Sequence, residues 1–286
     1  MSGEGISLFC FLASYTLAFG LEWVRLLSAR RVWRILAPLA GVAGLIAHTW
    51  FLWQRSSEAN LPPLLSSSRD WFLVLAWMAI LFYLVLTTVD GELPIGIFLL
   101  PLVLILIGSA QFVSTTTNRI LIENLDARGG WVMLHATLLV FGIAGVIVGF
   151  VLSMMYLVQH RRLKHKQAGQ AGMLLPSLER LSRLNWWAVV LTVPVLTLGM
   201  LTGVILGFLT GGGESAFTLQ DPFVIVSAVI WLVSVLFLLW LLKTRRTVGK
   251  RVAWRTIWAF GFLLVTLIGL QLLTGDGVMS FDTWHT

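Results

Sequence analysis

Charge is scarce in this chain. Only 12% of its 286 residues are Asp, Glu, Lys or Arg, against 58% hydrophobic. A soluble domain carries about a quarter charged residues, so the composition excludes a soluble globular protein and describes a membrane chain. Cysteine is nearly missing as well, Cys10 standing alone. That excludes a disulfide framework, a CxxC redox pair and a cysteine metal cluster. No Walker loop, GxSxG, HExxH or paired-carboxylate motif occurs, which removes the common nucleotide, hydrolase and metalloprotease readings. No hydrophobic segment holds several acidic residues, which weakens an ion-coupled transporter. Residues 1–5 lack a basic n-region and carry Glu4, so the first apolar segment is expected to stay as a helix and not to be cleaved as a signal peptide.

What remains is long apolar runs. Eight of them cover roughly 6–28, 33–54, 71–89, 94–113, 131–158, 186–210, 222–242 and 253–273. A hydrocarbon core of about 30 Å takes about 20 residues of helix. The runs are continuous and do not alternate apolar with polar, so they predict helices and not barrel strands. The expectation is an all-α integral membrane protein. It forms one domain over 1–286, a bundle of about eight transmembrane helices.

Formal charge is +7, but the bases lie in the loops between runs. There they set orientation and meet the headgroups of the lipid bilayer, so nucleic acid is excluded as a partner. The connections after runs 1, 3, 5 and 7 hold 16 of the 20 Lys and Arg; Arg55, Arg69, Arg119 and Arg128 make up the other side. The positive-inside rule then turns both termini outward, to the periplasmic side. This is the pattern of a multi-pass protein of a bacterial inner (cytoplasmic) membrane.

Local signals follow. Glu22 and Arg25 are spaced to pair on one helix face near the cytoplasmic interface. Pro62-Pro63 is expected to stop any helix, and Ser68 or Asp70 to cap the third span. The loop 114–130 reads as a short amphipathic surface helix. Leu178, Leu181 and Leu184 recur every three residues and mark an amphipathic lead into the sixth span. Gly199, Gly203 and Gly207 form a small face suited to helix packing, with Gly145-xxx-Gly149 as a matching face. The same glycines would also suit a narrow groove for a flat ligand. Trp23, Trp33, Trp50, Trp53, Trp71, Trp131, Trp186, Trp187 and Trp254 fit an aromatic belt.

Two histidines lie inside spans. A histidine there is expensive without a partner, so each is a candidate site. His135 sits four residues past Trp131, about 6 Å along a helix, and His48 lies toward the same outer side. Neutral imidazole suits iron, and two of them would hold a b-type haem between the second and fifth spans. The competing reading has each histidine bonded to a Ser, Thr or backbone carbonyl of a neighbouring helix.

The stretch WVMLHATLLVFGIAGVIVGFVLSMMYLVQHRRLKHK (131–166) resembles a segment of the cytochrome c assembly family, of the CcsA and HemX type. LLPSLERLSRLNWWAVVLTVPVLTLGMLTGVILG, DPFVIVSAVIWLV, RRTVGKRVAWRTIWAFGFLLVTLIGLQLL and RDWFLVLAW continue the resemblance, strongest over 131–273. The resemblance implies a protein that binds haem and presents it at the outer face for attachment to apocytochrome c. In its terms His135 is an axial ligand, with His48, Met279 or His285 opposite. A membrane partner of the CcsB type holds the client. The chain need not be an enzyme itself, since the client's cysteines drive thioether formation.

The sequence departs from the family pattern. The tryptophan-rich loop is reduced to GGGESAFTLQDPF, which keeps Asp221-Pro222. Leu239 stands where an in-span histidine is expected. GDGVM replaces Gly-Leu-His after LQLL, leaving Met279 and His285 near the second ligand position. These departures bring it nearer the HemX-type branch. Two alternatives stand beside it: a non-haem scaffold or regulator of haem enzymes, and a small-solute permease.

Overall fold

The computed structural model describes residues 3–28, 31–89, 91, 94–113, 125–165, 176–210, 222–243 and 249–275. Within them the chain is all helical. Its helices are α1 (Gly3–Leu27), α2 (Arg31–Ala59), a single turn α3 (Pro63–Ser66), α4 (Ser68–Val89) and α5 (Gly96–Ser109). They continue as α6 (Leu125–Lys164), α7 (Leu178–Thr210), α8 (Pro222–Lys243) and α9 (Lys250–Gly275). Every apolar run is therefore a helix. Five, α1, α2, α4, α6 and α7, are long and apolar enough to cross a membrane. With its 3₁₀ turn, α5 reaches only from Gly96 to Phe112, short of the roughly 20 residues a bilayer needs.

Several helices overrun their apolar runs, because nothing stops a helix where the lipid ends. α2 continues through Ser56–Ala59 and finishes at Asn60, whose φ of 50° is the left-handed conformation that closes helices. α7 begins at Leu178, with the Ser177 hydroxyl accepting from the Arg180 amide at 3.4 Å. Leu181 is fully buried and Leu178 and Leu184 pack on the core, as the three-residue stripe predicts. Pro62-Pro63 stands at a helix break as expected, since α2 ends at Ala59 and no helix runs through Pro62. Pro63 opens α3 from its first position, where a missing N–H costs nothing. Pro38, Pro101 and Pro194 lie inside continuous helices.

Two antiparallel hairpins, α1–α2 and α6–α7, are the closest helix pairs, and α4 packs on α2, α5 and α6 between them. In the second hairpin Gly142 lies against Leu196, Gly145 against Thr192 and Gly199 against Leu139. The glycines thus receive side chains from the other helix; they do not face one another as the spacing suggested. Gly149 turns instead to α9, where an added Cβ would stand 2.6 Å from the Phe260 ring.

One buried polar knot fastens α6, α7 and α9. The Ser153 hydroxyl donates to Asn185 Oδ1 at 2.9 Å, and Asn185 Nδ2 donates to Thr256 Oγ1 at 3.4 Å. Asn185→Leu removes both partners at once. Leaving a buried polar group unpaired costs about 1–3 kcal/mol, so the variant should melt earlier in detergent by that amount. An unchanged melting curve would show the knot to be idle.

Candidate functional site

Residue types and packing place His135 on α6, against α7. Its Nδ1 lies 2.8 Å from the Gly199 carbonyl oxygen and 3.3 Å from Thr202 Oγ1. A carbonyl only accepts, so Nδ1 carries the hydrogen and donates it. The Thr202 hydroxyl donates to the same carbonyl at 2.7 Å, which leaves its oxygen lone pairs turned to Nδ1–H. Nε2 then keeps its lone pair and has no protein partner among the described residues. The ring is partly exposed, and Trp131 one turn away is 40% exposed.

These bonds are the ones the structural reading of His135 expected, and they leave Nε2 open to the ligand reading. A backbone carbonyl and a threonine hydroxyl hold one nitrogen, as the structural reading expected. The other nitrogen is in the form a metal requires. A ligating histidine usually donates its second ring N–H to such an acceptor, which fixes the tautomer and raises ligand basicity. The residues present therefore fit an axial imidazole on haem iron, with Nε2 as the ligating atom.

His48 is placed differently. It is fully buried between α1 and α2, with Nδ1 3.2 Å from the Tyr15 hydroxyl. Its ring stacks on Phe11 at 4.2 Å between centroids and 3° between planes. Nε2 is buried and has no hydrogen-bond partner. α2 packs on α1, α3 and α4, whereas α6 packs chiefly on α7 and α9. The two imidazoles are thus held by different helix pairs, and the structure does not bring them to one site. Asp221, Met279 and His285 lie outside the described residues. Among the described residues, no group of three or more His, Cys, Asp or Glu could hold a metal ion.

Other polar clusters escaped the sequence reading. Asp70 was read as a possible cap. The cap is Ser67: its hydroxyl accepts from the Asp70 amide at 3.1 Å and donates back to the carboxylate at 2.8 Å. The fully buried Asp70 carboxylate also accepts from Ser66 and from Arg55 of α2. Glu22 and Arg25 do pair, at 3.3 Å, with both side chains buried against the bundle. Tyr83 of α4 donates to Glu22 at 2.8 Å, and Arg25 donates to the Gly91 carbonyl. The Glu22–Arg25 spacing was legible locally, but Arg55, Tyr83 and Gly91 join these clusters from 15, 61 and 66 residues away.

Comparison with known proteins bears on the same helices. The family model described as "Cytochrome C assembly protein" matches residues 64–275, from α3 to the end of α9. The match includes His135, Gly199 and Thr202 and leaves out His48. The chain is 27% identical over 258 residues to the cytochrome c biogenesis protein CcsA of Chlamydomonas reinhardtii, covering 86% of this chain and 68% of that protein. It is 29% identical over 140 residues to protein HemX of Brevibacillus brevis, covering 49% of this chain and 50% of that protein. No solved structure matches significantly.

Proposed function

Because the chain belongs to the cytochrome c assembly protein family, we propose that it is an integral membrane component of cytochrome c biogenesis that holds haem for attachment to apocytochrome c. The observation that carries this reading is the free Nε2 of His135, with Nδ1–H committed to the Gly199 carbonyl. Haem is the cargo here. His135 ligates its iron from α6, one turn past Trp131. Met279 or His285, which follow α9 in the sequence, would supply a further ligand, and Asp221, just before Pro222, would belong to the same site. His48 belongs to a separate place between α1 and α2, where its unpaired Nε2 is a second candidate ligand and not the opposite face of the same iron.

The topology that goes with this reading has eight spans and both termini outward, which puts His135 in the outer half of a bacterial inner membrane. A CcsB-type partner would hold the client, and the client's cysteines form the thioethers. The chain's own work is to bind and orient the cargo.

A second reading, a scaffold or regulator without haem, draws support from the alignment with HemX and from the reduced loop before Asp221. A permease gains no support: such proteins use broken helices around a midplane site, and the described helices run unbroken through Pro38, Pro101 and Pro194.

The test is a visible spectrum and pyridine haemochrome assay on protein purified in detergent after expression with ample haem. The expected result is a Soret band that is lost in His135→Ala and kept in His48→Ala. A colourless wild-type protein would sink the haem reading and leave the scaffold.

A further inference from the structure

The glycine row of α7 was read from sequence as a face for helix packing. Its third dimension shows something more specific. Gly199 does pack, against the Leu138 and Leu139 side chains. Gly203, one turn on, faces the imidazole of His135. A Cβ built there would stand 2.7 Å from Cε1, 3.2 Å from Nδ1 and 3.5 Å from Nε2. Non-bonded contacts of a real Cβ do not close to 2.7 Å, and this ring can swing away only by giving up its Nδ1 bonds. Its Nδ1 is tied to Gly199 and Thr202, so its two side-chain torsions are already spent. Only a residue without a Cβ lets the ring come this close to α7.

We propose that Gly203 and Thr202 are positioning residues that seat His135. The missing Cβ of Gly203 makes the notch. The Gly199 carbonyl and the Thr202 hydroxyl then lock the ring as the Nδ1–H tautomer, which leaves Nε2 unprotonated. The inference rests on the reading of His135 as the iron ligand only for its purpose; the seat itself is a property of the unloaded protein. It gives the α6–α7 hairpin a job besides stability, because the register of α7 decides which ring nitrogen is free. The acceptor pair on Nδ1–H also raises the basicity of Nε2. Losing such an outer partner typically lowers metal affinity roughly 10- to 100-fold.

The experiment is nitrogen-15 NMR of histidine-labelled, full-length, haem-free protein in nanodiscs. His135 is assigned by difference against His135→Gln. The expected wild-type result is one tautomer, with Nδ1 protonated and Nε2 bare. Gly203→Ala should replace it with a mixture, while Gly108→Ala on α5, whose Cβ would meet nothing within 4 Å, should leave it intact. Thr202→Val keeps the carbonyl bond and should keep the tautomer with a shifted Nδ1 signal. A wild-type His135 that exchanges between tautomers overturns the seat without any variant. So does a folded Gly203→Ala with an unchanged spectrum. Haem titration separates the two claims. A single wild-type tautomer in a protein that takes up no haem sinks the haem reading and leaves the seat. Haem uptake with mixed tautomers does the reverse.

Discussion

Arg25→Leu is expected to destabilise the protein by about 3–5 kcal/mol, the range for breaking a buried ion pair from one side. Two observations put it in that range. Glu22 is fully buried and the Arg25 side chain is 7% exposed, so water cannot replace the lost partner. The Arg25 guanidinium also bridges to the Gly91 carbonyl, which ties the end of α1 to the turn after α4. An exposed pair would instead cost about 0.2–1 kcal/mol, the value an interfacial Glu22–Arg25 pair would give. The companion variant is Arg25→Leu with Glu22→Gln. The glutamine oxygen still accepts from the Tyr83 hydroxyl, and no buried charge remains unpaired. Most of the lost stability should return. Chemical or thermal unfolding in detergent reads both. A single variant within about 1 kcal/mol of wild type, or a double variant no better than the single, would show that the pair is solvated.

Much of the architecture was legible because lipid imposes a length and a polarity on every helix. Each of the eight apolar runs became a helix, and the family resemblance carried by residues 131–273 falls inside the family match over 64–275. The ends were misjudged for a physical reason: α6 runs from Leu125 to Lys164 because polar residues outside a bilayer sustain a helix as well as apolar ones do. Pro62-Pro63 marked a true break after α2, and Pro63 then starts the next turn because a first-turn position needs no N–H. The site was legible in part. Being a lone histidine near Trp131 singled out His135. The Gly199 carbonyl that sets its tautomer carries no side-chain signature, so no sequence pattern could reveal it. Gly203 was visible as a small residue, but only the α6–α7 register shows that an imidazole fills its notch. His48 and His135 shared a side in the sequence reading, since the charge count put one near the outer end of the second run and the other near the outer start of the fifth. Whether they share a site depends on which helices pair, and α2 pairs with α1.

Asp70→Ala is the second large effect. The Asp70 carboxylate, fully buried, gathers hydroxyls from Ser66 and Ser67 and the Arg55 guanidinium, whose Nε and terminal nitrogen both lie 3.4 Å away. It joins α2, α3 and α4 at a single point. Truncation strips three donors of their acceptor, and the expected loss is about 3 kcal/mol, the lower end for a broken buried pair. The lower end applies because Arg55 is 18% exposed and has Glu58 at 3.9 Å to turn to. Arg55→Ala should cost less, since Asp70 would keep both serine hydroxyls. Asp70→Asn, with one acceptor oxygen and the same shape, should fall between wild type and the alanine variant. The Ser67 cap on α4 survives all three, because it uses the backbone amide of residue 70. α3 and α4 both pack on α6, so a loosened α3–α4 junction reaches the helix that carries His135. The haem-loaded Asp70→Ala protein should therefore lose its Soret band at a lower temperature than wild type while showing the same band position at low temperature. A shifted band in the folded variant would mean that Asp70 or its partners act on the ligand field directly. A midpoint unchanged in unfolding would mean that the cluster, though buried, is not what fastens these helices.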